Sequence, residues 1–75
     1  MKYFTDNSGL FINTALIIAV KMKPNKNDGT FNSREEYPFV ADVHVKGREK
    51  PFTIYLTHEK EREISQYMRG RESGE

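Results

Sequence analysis

Four side chains able to exchange protons or hold a substrate hydroxyl lie close together in the sequence: Asp42, His44, Thr53 and Tyr55. In extended chain, residues two apart share a face, so Asp42 pairs with His44 and Thr53 with Tyr55. An Asp–His pair beside a hydroxyl can do general acid–base work. The same four are also what the solvent face of a sheet carries, since polar, β-branched and aromatic side chains pair well across strands. No oxyanion hole accompanies them, and Ser8, Ser33, Ser65 and Ser73 stand in no elbow-type motif. The set therefore reads as sheet surface, and no catalytic residue is expected.

Metal and cofactor chemistry find little footing. Asn25-Lys26-Asn27-Asp28-Gly29 has the look of a calcium loop, but aligning Gly29 with the loop glycine puts Pro24 at the first ligand position and Glu35 at the last. Proline offers no side-chain ligand. There is no cysteine, so thiolate sites, disulfides and cysteine nucleophiles are all excluded. The two histidines, His44 and His58, cannot make a zinc site without carboxylate help, and His58 reads as a solvated residue in the first turn of a helix. Gly9, Gly29, Gly47, Gly70 and Gly74 are isolated and build no phosphate loop. No cofactor and no metal are expected.

Two sets have binding potential. Phe11 and Phe31, read as exposed, and Ile17 and Ala19, at the apolar outer end of the central strand, make a candidate protein interface. Lys21, Lys23, Arg34, Lys46 and Arg48 could follow a phosphate backbone, with Tyr55 and His44 on the same surface. The overall charge of +1 is too even for tight duplex binding. Positive charge does concentrate early: residues 1–34 hold five basic and two acidic side chains, residues 35–75 seven and nine.

The elements that must position these residues follow from periodicity. Lys2–Thr5 and Leu10–Asn13 read as short strands around Asp6-Asn7-Ser8-Gly9, with a bend at Asn13-Thr14-Ala15. Leu16–Lys23 alternates Leu16, Ile18, Val20 and Met22 against Ile17, Ala19, Lys21 and Lys23; because both faces are apolar at one end, it is expected at the centre of the sheet. Asp28-Gly29 predicts a type I′ hairpin turn, setting Val20 opposite Tyr37, Ile18 opposite Phe39 and Leu16 opposite Ala41. Tyr37–Lys46 and Phe52–Thr57 follow, with Val45 opposite Phe52, Val43 opposite Ile54 and Ala41 opposite Leu56. One continuous apolar face results. Thr57 is the expected N-cap of a helix from about His58 to Arg69, stopping at Gly70, with Ile64, Tyr67 and Met68 as its buried stripe.

The fold class expected is α+β: a five-stranded antiparallel meander, curved or half-barrel, with one C-terminal helix packed on it. Residues 1–71 make one domain and 72–75 a disordered tail. This order of short strands closed by a helix resembles SH3-like half-barrels and the single-stranded-DNA-binding transcriptional coactivators; the resemblance is one of topology, and no family is assigned. Hydrophobic residues are 36% of a short chain without disulfides, and a core of this size supplies only about 3–5 kcal/mol. Self-association, as a homodimer, is the remedy left. The apolar run Leu10–Val20 is too short and too polar to span a bilayer, no leader is visible, and a cytoplasmic location without a membrane partner is expected. The leading functional expectation is a non-enzymatic module that binds a protein or itself. A single-stranded nucleic-acid binder is the alternative.

Overall fold

The computed structural model describes residues 2–73, with side chains placed through residue 71. The chain forms β1 (Tyr3–Thr5), β2 (Phe11–Asn13), a 3-10 turn (Thr14–Leu16), β3 (Ile17–Pro24), β4 (Phe39–Val45), β5 (Phe52–Leu56) and α1 (His58–Ser73). The class is α+β with antiparallel strands, but there is no five-stranded meander. β1 and β2 form a two-stranded sheet, and β3-β4-β5 form a separate three-stranded one with β4 in the middle.

The split occurs at the 3-10 turn. The Asn13 side chain accepts from the Ala15 amide at 3.0 Å, which caps the turn. Thr14 is buried, and its amide and hydroxyl both donate to the Lys2 carbonyl, at 3.0 and 3.1 Å. These bonds hold the end of β2 against β1 and turn the chain before β3 begins. Within the first hairpin, Asp6 is buried and its carboxylate accepts from the amides of Ser8 and Leu10, at 3.0 and 2.8 Å. Gly9 there has φ +95°, a conformation that only glycine adopts without strain.

β3 departs most from expectation. It lies at the sheet edge, and its register against β4 is Val20 opposite Val43, Met22 opposite Ala41 and Pro24 opposite Phe39. The Asp28-Gly29 turn does not form: Gly29 is not among the glycines with positive φ, which a type I′ turn demands. Instead residues 25–38 fold onto the side chain of Asn25. Its amide donates to the carbonyls of Asn32 and Tyr37, at 2.8 and 2.7 Å, and its oxygen accepts from the Asn27 amide at 3.0 Å. The loop closes where the Asn25 amide meets the Pro38 carbonyl at 2.9 Å, so β4 begins late, at Phe39.

An even displacement of register leaves every side chain on its expected face. Ala41, Val43, Val45, Ile54 and Leu56 are accordingly buried, and Val20, Met22, Phe39 and Phe52 pack against them. Leu16 and Ile18 break the pattern, at 43% and 62% exposed, while Ile17 is buried at 1%. A bulge between Ile17 and Ala19 is the cause: Ile17 opposes Val45 and Ala19 opposes His44, leaving Ile18 as an extra residue.

β4 and β5 pair with Val43 opposite Phe52, Ala41 opposite Ile54 and Phe39 opposite Leu56, two residues from the expected register. The cause is the turn after Val45. The Arg48 amide donates to the Val45 carbonyl at 3.3 Å, and Gly47 at the third position has φ +84°, as in a type II turn. Three more residues then pass before β5 begins.

The helix starts as the sequence predicts. The Thr57 hydroxyl accepts from the Lys60 amide at 3.3 Å, and Glu59 and Glu61 occupy the first turn, where carboxylates complement the helix dipole. Ile64 is fully buried; Tyr67 and Met68 flank it against the core that also holds Phe4, Ile12 and Ile17. The helix does not stop at Gly70 but continues to Ser73. Gly70 has no positive φ, so no left-handed cap ends the helix there. Glu72 and Ser73, assigned to the tail, are therefore helical; Gly74 and Glu75 lie outside the described residues.

Candidate binding groove at the β3 edge

The acid–base set does not assemble. Asp42 lies opposite Thr53 and accepts its hydroxyl at 3.0 Å, while Tyr55 lies opposite Val40. His44 stands beyond the end of β5, across from Ala19 of β3. Among the described residues no hydroxyl is hydrogen-bonded to the histidine, and Asp42 is shared between Thr53 and Lys23, whose ammonium is 3.9 Å away. Asn25 and Asn27 of the calcium-like segment turn their side chains to backbone groups, and Asp28 pairs with Arg34 at 2.8 Å. Among the described residues, no group of three or more His, Asp or Glu side chains is placed to hold a metal ion.

The basic candidates scatter. Lys21 and Lys23 stand on the outer face of β3. Arg34 is in the 25–38 loop, while Lys46 and Arg48 follow β4 at its far end, so about 20 Å of strand separates the two groups. The Arg48 guanidinium sits 4.0 Å above the Phe52 ring, and its Nε donates to the Lys50 carbonyl at 3.1 Å. That arginine is engaged in shaping its own turn.

Of the four candidate interface residues, Ile17 is corrected outright: the bulge turns it into the core. Phe11 and Phe31 are exposed at 68% and 83%, one on β2 and one on the long loop. Ala19 is half-buried on β3. Tyr37 and Tyr55 approach to 6.4 Å between ring centres, tilted by 54°. The Tyr37 hydroxyl is held above the usual tyrosine range, chiefly by its hydrogen bond to the Glu36 carboxylate, then by desolvation and by the charges of Glu36 and Asp6.

What the sequence reading missed is the space between β3 and α1. Ile18, Val20 and Met22 on the strand face Ile64 and Met68 on the helix across a groove of about 330 Å³. One wall is the free side of an edge strand, whose alternate amides and carbonyls lack a strand partner. The other wall is α1, where Ile64 is fully buried and Ser65 and Met68 are half-buried. Ile18 is the signal that was available: the apolar run Leu16-Ile17-Ile18 fits a bulge as well as it fits a central strand.

Comparison with protein-family models gives no matching family. Comparison with curated proteins and with solved structures gives no match either.

Proposed function

We propose that this protein is a non-enzymatic binding module that takes up an extended segment of a protein partner by strand addition at β3. One observation carries the reading: among the described residues β3 has a strand on one side only, and its other side runs beside a groove formed with α1, lined by Ile18, Val20, Met22 and Met68 together with the polar Ser65 and Arg69. Backbone hydrogen bonds to the edge supply affinity in this mode, and pockets for alternate side chains supply specificity. Ile18, 62% exposed beside that groove, gives an incoming strand an apolar contact at no cost to the core.

The experiment is a display panel of random hexapeptides. Recovered binders should slow hydrogen exchange at β3 amides and lose affinity on Ile18→Asp, a change the fold tolerates because the side chain is already solvated. Binders that protect other elements, or a panel that yields none, would sink the proposal.

A second reading rests on the outer face of the three-stranded sheet. There Tyr55, with Tyr37 beside it, borders a concavity of about 500 Å³ that Lys23 and Lys26 also line, an arrangement suited to stacking a single-stranded base. Asp42 stands on the same face and would repel a phosphate. Binding of an oligothymidine that weakens steeply with salt, and is lost on Tyr55→Ala, would favour this reading over the first.

A further inference from the structure

We infer that the segment docking at β3 alternates acidic and apolar residues; the inference rests on the strand-addition reading above. An added strand shares the pleat of its neighbour, so its side chains point alternately to the two faces of the sheet. On the inner face they meet Ile18, Val20, Met22 and Met68, and apolar side chains suit that wall. On the outer face they stand beside Lys21 and Lys23. Asp42 is the carboxylate of β4 on that face and lies 3.9 Å from Lys23; among the described residues, no carboxylate is within ion-pair distance of Lys21. Two ammonium groups against one carboxylate leave the outer side of this edge positive. On the helix wall Ser65 and Arg69 border the groove, and Ser65 donates its hydroxyl to Glu61, one turn toward the helix N-terminus, at 2.7 Å.

The same lysines disfavour a second copy of this strand. Suppose two β3 strands pair antiparallel with their inner faces matched. Centring the pair on Lys21 sets Lys21 against Lys21, and centring it on Met22 sets Lys21 against Lys23 twice; registers centred on Val20 or Ala19, toward the bulge, keep the lysines apart. Like charges directly opposite destabilise a sheet. Pro24 closes one end of the edge, since it has no amide hydrogen, and the bulge at Ile18 bends the other. The usable window is therefore residues 18–23, about 20 Å of strand. Lysines, a proline and a bulge are the usual guards of an exposed edge against indiscriminate pairing. Here they admit a strand of opposite charge.

The test uses two synthetic hexapeptides, one alternating glutamate with isoleucine and the other lysine with isoleucine, titrated into the whole chain and followed by amide NMR. The acidic peptide should shift residues 18–23 together with Ile64 and Met68, and saturate. The lysine peptide should bind at least tenfold more weakly. In the double variant Lys21→Glu with Lys23→Glu, the preference should reverse, so a merely disabled fold cannot mimic the result. Equal binding of both peptides at the groove would overturn the charge assignment while leaving strand addition standing. Failure of both peptides, and of a peptide copying residues 17–24, to shift the edge would overturn both. Sedimentation showing a dimer that the double variant abolishes would assign the edge to a second copy and overturn the inference.

Discussion

Replacing Asn25 tests the account of the long loop most sharply. The residue is 7% exposed, and its side chain makes three hydrogen bonds, two donated to the carbonyls of Asn32 and Tyr37 and one accepted from the Asn27 amide. Each bond contributes about 0.5–1.5 kcal/mol net. Asn25→Ala should therefore cost about 3 kcal/mol, comparable with the roughly 3–5 kcal/mol expected of a domain this small. At a urea slope of about 1 kcal/mol per molar, the low end suited to a short chain, the midpoint should fall by about 3 M or the variant should be unfolded in buffer. Asn25→Asp separates lost bonds from lost volume. The carboxylate keeps the acceptor toward Asn27 but turns an oxygen on two carbonyls, so this isosteric variant should be at least as unstable near neutral pH. It should recover partly in acid, where a protonated carboxyl can donate one bond. Urea melts of the three proteins at neutral and acid pH, read by circular dichroism, give the comparison. An unchanged midpoint for Asn25→Ala, or an Asn25→Asp variant that weakens further as pH falls, would refute the claim that this amide sets the β3–β4 register.

Three further outcomes are expected. Truncating Ile54 or Val43 to alanine, at 2% and 0% exposed, should destabilise by about 1–5 kcal/mol, the smaller loss at Val43; an unchanged denaturation midpoint in both would remove them from the core. Thr57→Ala should cost about 0.5–2 kcal/mol by uncapping α1, seen as faster exchange at the Lys60 amide with the sheet unaffected. The Tyr37 ring should titrate above an ordinary tyrosine by NMR, and Glu36→Ala should bring it down. Below the ordinary tyrosine range both folded and unfolded chains hold this proton, so its stabilising contribution is complete there. It is lost as pH rises through the folded value, because the unfolded chain gives up the proton first.

Much of the core was legible because side-chain faces survive an even error in register. Ala41, Val43, Ile54 and Leu56 alternate cleanly, and no shift of six or of two residues can move them to the other side. The helix start was legible for a local reason, since Thr57 and the acidic first turn act only on their own backbone. The hairpin register was not. It depends on whether Asp28-Gly29 turns or Asn25 gathers the loop, a contest decided by bonds between residues 7 and 12 apart. Gly70 misled in the opposite way, because a glycine ends a helix only where it takes positive φ. As for the candidate sites, Lys21 and Lys23 were placed correctly by their parity. Ile17 was not, because an extra residue in one strand has no periodic signature. The groove beside β3 needed more than the run Leu16-Ile17-Ile18, which admits a bulge: seeing it required knowing that β4, and not β3, is central.

The bulge also makes the chain unusually forgiving of a shortened gene. Losing one codon inside a strand ordinarily turns half of that strand inside out. Here the codon for Ile18 is the exception: without it, Ile17 would still oppose Val45, Ala19 His44 and Val20 Val43, with no irregularity between them. The shortened chain should keep its core while its edge becomes straighter and loses one of its guards, and straighter edges invite aggregation. Ile18 is thus dispensable to the architecture, and its retention would be felt in solubility and in what the edge accepts.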